Sequence, residues 1–256
     1  MNKRLPAKLE VEPVVNAVFE LRVATDRPLH ESVPSMMYSK FTGQIEGLQA
    51  LPVGLVLQDS SGQDASQYMV KLRIDWRGFQ FHLGDRAAVV TYEGSYPGGD
   101  AFKAAIYDFV DAILDAGLVT AIERYSLKYI NFFPGASEFE FVNDMDWNLT
   151  LGGASIGDKN VMLRFEAEDG DFRTITSVLT KAQLQQRATQ PRTGGVIEVD
   201  EICLHSTSDT ARFRSELHDR LDELRTRNKQ AFFNALTDAA IERLGPTYDA
   251  ADPKLH

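Results

Sequence analysis

Alternation of apolar and polar residues is clearest in two stretches of the chain, residues 14–24 and 123–133. Successive side chains of a strand point to opposite faces, so a period of two predicts two long strands, each buried on one side. The apolar sides carry Val15, Ala17, Phe19, Leu21 and Val23 in the first stretch, and Tyr125, Leu127 and Tyr129 in the second. The polar sides carry Asn16, Glu20 and Arg22, and Arg124, Ser126 and Lys128. This pattern directs the search for function toward a polar sheet face.

Three shorter strands follow the first long strand and are flanked by two helices. Alternation at 68–76, apolar runs at 79–83 and 87–93, and Gly-containing turns between them predict an antiparallel meander. Pro34 suits a first helical turn and Pro52 stops a helix, which predicts a helix over 34–50. Apolar residues at three- and four-residue spacing predict a second helix behind Asp100, with Asp100 as its N-cap and Gly117 as its C-cap.

The second half of the chain loosely repeats this order of elements. Strands are predicted over 147–151, over 160–168, and from Phe172 onward. Residues 180–190 also contain helix-forming residues, but the apolar run at 196–204 that follows favours an extension of the strand. The segment 209–244 is predicted to be helical, with a bend at 226–229 and a separate short helix from Thr237.

These elements predict an α+β fold with a mostly antiparallel sheet and helices packed on one face. The repeated order indicates an internal duplication of a β-meander-plus-helix unit, followed by a long C-terminal helix. We expect an N-terminal β-rich half with two helices, residues 1–134, and a C-terminal half with long strands and the C-terminal helix, residues 135–256. The pattern leaves open whether the two halves form one continuous domain.

Composition narrows the class of protein. The 256 residues carry a formal net charge of −10, and an acidic chain repels nucleic acid at long range, which argues against a general nucleic-acid binder. Cys203 is the one cysteine, so no intrachain disulfide forms, and a reducing cytosol suits the chain. The basic N-terminus lacks the apolar core of a signal peptide, and no apolar run reaches membrane-span length. We therefore expect a cytoplasmic protein without membrane contact.

Motifs for catalysis, metal or cofactor are missing from the sequence. The histidines do not form an i, i+4 pair, the cysteine has no partner, and neither a phosphate loop nor a nucleophile elbow is present. Cys203 lies in an apolar run, which is typical of a buried structural thiol. We expect no metal, no cofactor and no catalytic residue of a known motif.

The candidate site is the polar side of the strands. Its members, with one residue from the apolar side, are Glu20, Arg22, Arg73, Arg124, Lys128 and Asn131. Arginine captures carboxylate or phosphate with two parallel hydrogen bonds, so clustered arginines indicate a partner or an anion. The alternative is ordinary cross-strand pairing, such as Glu20 with Arg22 or Arg124, on a solvated sheet face. Asn131 lies on the apolar side, where a polar group needs a partner.

Two motifs carry a resemblance to a known family. They are V-x-x-A-V-F-E-L-R at residues 14–22 and E-R-x-x-L-x-Y-I-N at residues 123–131, and a looser third motif covers Leu217-His218 and residues 232–238. The chain resembles, over nearly its full length, a sporadically distributed family of uncharacterised bacterial and archaeal proteins. That resemblance implies no activity and no catalytic residues. The patchy distribution is similar to that of mobile accessory genes, which include toxin–antitoxin and phage-defence loci.

Three hypotheses about function follow. The first is a non-catalytic binding protein with a protein partner, antitoxin-like or accessory to a mobile defence locus; a second copy of the chain is an alternative partner. The second is a small-ligand pocket between the strands and the C-terminal helix. The third is an enzyme for a phosphorylated or carboxylated substrate that uses Glu20, Arg22 and Arg124.

Overall fold

The computed structural model describes residues 3–51, 65–93, 96–135, 141–155, 160–185 and 190–249. The strands are β1 Lys8–Leu9, β2 Val14–Thr25, β3 Ile45–Ala50, β4 Val70–Trp76, β5 Phe79–Gly84, β6 Ala87–Glu93, β7 Val119–Pro134, β8 Thr150–Leu151, β9 Ala154–Ser155, β10 Met162–Asp169, β11 Phe172–Leu184, β12 Arg192–Cys203 and β13 Pro246–Thr247. The helices are α1 Leu29–Lys40, α2 Gly99–Asp115, α3 Thr210–Asn234 and α4 Asp238–Arg243, with a 3₁₀ turn at Ala65–Tyr68.

Nine strands form one sheet in the order β10-β11-β12-β7-β2-β6-β5-β4-β3, and every pairing is antiparallel. The predicted α+β fold with its long C-terminal helix is thereby confirmed. Strands from residues 1–134 and from residues 135–256 join in this sheet, with β2 and β7 paired at its centre.

The two halves of the sheet share the way in which their last strand returns to the long strand, although α1 follows β2 whereas the β8–β9 hairpin follows β7. In the first half, the long strand β2 is followed by a meander whose last strand, β6, pairs back onto β2 before helix α2 begins. In the second half, the long strand β7 is followed by a meander whose last strand, β12, pairs back onto β7 before helix α3 begins. The repeated order read from the sequence is therefore present in the topology.

Apolar residues of α1, α2 and α3 form one buried cluster with one face of the central strands. Phe109 of α2 stacks on Phe81 of β5, with ring centroids 4.5 Å apart. A second cluster joins α4 and the end of α3 to apolar residues of β11 and β12 on the same face. All four helices thus cover the side of the sheet that carries Phe19 and Leu127, and the opposite face carries the charged side chains.

The helix predicted over 34–50 is wrong at both ends. Helix α1 begins at Leu29, so Pro34 lies inside the helix rather than in its first turn. Helix α1 ends at Lys40, Gly43 adopts a φ of 75°, and the chain continues as the edge strand β3, which pairs with β4. A positive φ is accessible to glycine at little cost, so Gly43 supplies the turn that separates helix from strand. Edge pairing with β4 overrides the local helix preference of this segment.

Other predicted boundaries of helices and strands are partly confirmed and partly wrong. The N-cap of α2 is Gly98 rather than Asp100, which lies in the first turn. The strand predicted over 147–151 is wrong, because only Thr150–Leu151 is extended, in a separate small hairpin. The strand reading of residues 180–184 is confirmed, and residues 186–189 lie outside the described part. Helix α3 continues through 226–229, and Thr237 caps the predicted short helix α4.

Candidate functional site

The central strands β2, β7 and β12 bring six charged side chains together on the helix-free side of the sheet. We call this cluster the charged sheet face; its members are Glu20, Arg22, Arg124, Lys128, Glu198 and Asp200. They alternate with core residues along each strand, so the sequence periodicity itself places them there. Their side chains are mostly buried by their neighbours, with 13% exposure for Asp200 and 30% for Lys128 as the extremes.

Glu20 holds two arginines on this face. Arg22 and Arg124 lie directly opposite each other in the β2–β7 register. Arg22 Nε donates to Glu20 Oε1 at 2.5 Å, and an amino group of Arg124 donates to the same oxygen at 2.9 Å. Burial alone would raise the pKa of Glu20, but Arg22 and Arg124 together lower it below its usual value. The carboxylate therefore stays ionised near neutral pH.

Arg22 also stacks on an aromatic ring. Its guanidinium lies 4.3 Å from the centroid of the Tyr68 ring, in the 3₁₀ turn. The Tyr68 hydroxyl donates to Glu123 at 2.9 Å, and Glu123 also accepts from Arg86. Stacking on an aromatic face leaves the edges of a guanidinium available for hydrogen bonds in its plane. This end of the charged sheet face is therefore held by several contacts at once.

Lys128 is the cation at the other end of the face. Its Nζ lies 3.2 Å from a Glu198 oxygen and 3.7 Å from an Asp200 oxygen. Burial lowers the pKa of Lys128, but the two carboxylates outweigh it and the net pKa is raised. Burial raises the pKa of Asp200, and Lys128 offsets this only in part. One cation thus compensates two acids, and Asp200 is the less favourably placed of them.

Buried polar atoms without a hydrogen bond in the described part of the chain lie on both sides of the sheet. On the helix-free side they are Asn16 Oδ1, Arg73 Nε, His82 Nδ1, Arg124 Nε and Asp200 Oδ1, and elsewhere they are His30 Nδ1, the Tyr107 hydroxyl, Glu201 Oε1 and Arg220 Nε. Buried polar groups in native proteins are nearly always paired, so each of these is an unmet requirement for a donor or an acceptor. The set includes both kinds of group.

Two of the sequence-predicted site residues do not join the cluster. Arg73 lies on β4, three strands from β2, which is about 14 Å at the usual strand spacing, and it pairs with Asp75. Asn131 lies on the helix-covered face, where its amide nitrogen donates to the Ile197 carbonyl at 3.3 Å. The other four, Glu20, Arg22, Arg124 and Lys128, are brought together, and the cross-strand pairing considered as the alternative is what joins Glu20 to both arginines.

Sequence reasoning missed Glu198 and Asp200, which complete the site. The signal was present, because both alternate with the core residues Ile197 and Val199 in a segment read as a plain apolar run. What the sequence did not contain is the register of β12 against β7, which sets Asp200 opposite Lys128.

The chemistry available at the charged sheet face is charge recognition. A carboxylate with a lowered pKa is a weak base at neutral pH, so Glu20 is better suited to holding arginines than to moving protons. His82 also lies on this side of the sheet; burial and, secondly, Arg73 lower its pKa to about 4, which keeps it neutral. Within the described ranges, no three His, Cys, Asp or Glu side chains converge in a way that would hold a metal ion.

Among the helices of the described residues, none combines the length and apolarity that a membrane crossing needs. The sequence matches no protein-family model and none of the curated proteins with which it was compared.

Proposed function

We propose that this protein is a non-catalytic binding protein that holds a protein partner on its charged sheet face. The observation that carries the proposal is the cluster of six charged side chains on a sheet face to which no described helix contributes core contacts. Each of these side chains keeps between 13% and 30% of its surface exposed, so a partner can contact it.

The mixture of groups on this face favours a protein over a simple polyanion. Arg22, Arg124 and Lys128 are donors, whereas Glu20, Glu198 and Asp200 are acceptors. A nucleic-acid backbone supplies phosphate acceptors, but a polypeptide surface supplies both N–H donors and carbonyl acceptors.

The balance of charges on this face also favours a protein partner. The three cations and three anions of the charged sheet face compensate each other, although the chain as a whole carries −10. A neutral patch of mixed charge on an acidic protein fixes the orientation of a partner that carries the complementary charges, and it disfavours partners that do not. The acidic remainder of the surface favours approach by a partner with basic surroundings.

The family resemblance supports one concrete form of this role. An antitoxin-like protein or an accessory protein of a mobile defence locus acts by stoichiometric binding and needs no catalytic motif. The partner would then be encoded near this gene.

Affinity capture from the native host tests the proposal. The bait variant combines Glu20→Gln, Arg22→Met and Arg124→Met, which removes the ion triad without leaving one charge unpaired. A matched control is available on α3, where Arg212 and Arg220 both pair with Glu216 at 2.6 and 2.5 Å. The control carries Arg212→Met, Glu216→Gln and Arg220→Met.

We expect the wild-type protein and the α3 control to retain the same stoichiometric protein, and the sheet-face variant to lose it. Circular dichroism of both variants checks that each is folded. Equal retention by all three baits would place the interface elsewhere. Recovery of no stoichiometric protein by the wild type, together with a monomeric mass in solution, would overturn the binding role.

A further inference from the structure

A cavity of about 560 Å³ lies on the helix-covered face, on the opposite side of the sheet from the charged sheet face. It is half-open to solvent. Its lining comes from residues 6–10 and 12 of the N-terminal segment, from the start of α2 and from the inner side of α3, and residues of β7 form its floor. Its aromatic wall includes Tyr96, Tyr129 and Phe232. This volume is in the range of sites that take small organic ligands.

Two cationic side chains one helical turn apart line this cavity. Arg225 and Lys229 both belong to α3, and they repel each other because like charges four residues apart are neighbours on a helix. Burial, followed by the nearby Arg225 charge, lowers the pKa of Lys229. Lys229 Nζ donates to the Pro6 carbonyl at 3.1 Å. Glu12 also lines the cavity; burial raises its pKa, and the charges of Lys229 and Arg225 offset this only in part.

The Arg225 guanidinium is held against the first turn of α2. It lies so close to Gly99 that a Cβ there would overlap it, so only glycine permits this approach. Its nearest carboxylate, on the fully exposed Asp100, is 3.8 Å away, which is a loose contact. The Gly98 N-cap provides no side-chain hydrogen bond, so the first amide groups of α2 are uncapped beside the guanidinium.

Two buried amides supply acceptors on the floor. Asn228 is 2% exposed, and its nitrogen donates to the Leu127 and Val199 carbonyls at 3.1 and 2.8 Å. Asn131 is 3% exposed, and its nitrogen donates to the Ile197 carbonyl. These bonds fix the orientation of both amides, so the side-chain oxygens are left for the cavity that both residues line, and neither oxygen accepts from a described residue.

We propose that this cavity binds a small organic phosphate ester that carries hydroxyl groups. Arg225, Lys229 and the first amides of α2 bind the phosphate, since a guanidinium, an ammonium group and a helix N-terminus each favour an anion, and the phosphate dianion competes with Glu12 for the two cations. The oxygens of Asn131 and Asn228 accept from the hydroxyl groups. The site is independent of the charged sheet face, and a ligand here does not require a protein partner there.

Isothermal titration of the full-length protein with α-glycerophosphate tests the site, with inorganic phosphate and glycerol as comparison probes. We expect α-glycerophosphate to bind about tenfold more tightly than inorganic phosphate, and glycerol not to bind. Arg225→Gln is expected to weaken α-glycerophosphate binding by about tenfold or more. Arg212→Gln, on an exposed part of the same helix, is the control and is expected to leave binding unchanged.

A second variant and a second readout distinguish a loss of binding from a folding defect. Gly99→Ala leaves the cations in the sequence but displaces the guanidinium from the α2 terminus, and it is expected to weaken binding as well. In nitrogen–proton NMR spectra, the ligand should shift the amide signals of Gly99 and Asp100. Absence of α-glycerophosphate binding, equal affinity for inorganic phosphate, or unchanged affinity in a folded Arg225→Gln variant would each overturn the proposal.

Discussion

Arg22 and Arg124 lie directly opposite each other on neighbouring strands, and both donate to the same oxygen of Glu20. Like charges in opposed cross-strand positions repel, so the pair is stable only because Glu20 lies between the two guanidinium groups. The charged sheet face is thus organised around one carboxylate.

Loss of the Glu20 charge should destabilise the fold more than loss of an edge-strand carboxylate. Glu20→Gln leaves two mostly buried arginines facing each other, and we expect a loss of about 2 kcal/mol in the free energy of unfolding. Glu166→Gln, which removes the partner of Arg164 on the exposed edge strand, should cost less than about 0.5 kcal/mol. Urea denaturation of both variants measures the difference, and equal losses would contradict a central role for Glu20.

Protonation of His82 should contribute to acid sensitivity. Burial and Arg73 lower its pKa in the folded state from 6.5 to about 4, so within this window the unfolded chain binds more protons than the folded one. Stability therefore falls as the pH drops through the window, by roughly 2 kcal/mol from this group. His82→Gln should flatten the dependence, whereas the exposed His205→Gln should not. Superimposable pH profiles for wild type and His82→Gln would count against the assignment.

Removal of Lys128 should destabilise the protein increasingly as the pH rises. The pKa of Asp200 is already raised in the folded state. The folded protein therefore holds this proton more tightly than the unfolded chain, and stability falls as the pH rises through the folded-state pKa of Asp200. Lys128→Met removes its main counterion and should cost about 2 kcal/mol at neutral pH, and less in acid. Lys40→Met, which disrupts an exposed ion pair with Asp115, serves as the comparison and should cost less than about 1 kcal/mol. A loss for Lys128→Met that does not vary with pH would contradict this role.

Close packing at Gly195 should make even a methyl group costly. A Cβ there would overlap the ring of Phe141, which is 2% exposed and packs against Phe133. We expect Gly195→Ala to lower the free energy of unfolding by about 2–3 kcal/mol through overpacking. Gly117→Ala meets no atom within 4 Å but must keep a φ of 66°, so it should cost only about 1 kcal/mol. Thermal unfolding of the two variants distinguishes crowding from backbone strain.

The part of this fold that could be predicted is the part with a local signal. Alternation in residues 14–24 and 123–133 identified β2 and β7, the buried sides of both strands, and four of the six members of the charged sheet face. Side-chain alternation is a property of the single strand, so it can be read from the sequence before the neighbouring strands are known.

The parts that could not be predicted depend on contacts between distant segments. Strand β3 forms because it pairs with the edge of β4, and no feature within residues 45–50 predicts that pairing. Asp200 meets Lys128 through the β12–β7 register, across more than seventy residues of chain. The cavity beside Arg225 requires the segment 6–12 to fold against α3, so its lining is invisible in any single stretch of sequence.

Photo-crosslinking in living host cells tests the central claim most directly. A photoreactive phenylalanine at Val18, beside Lys128 at the centre of the charged sheet face, is compared with the same probe at Met36 on the exposed side of α1. We predict that the Val18 probe yields one dominant cross-linked protein and that the Met36 probe does not. Absence of a protein adduct at Val18, or the same adducts from both positions, would contradict a partner-binding role for this face.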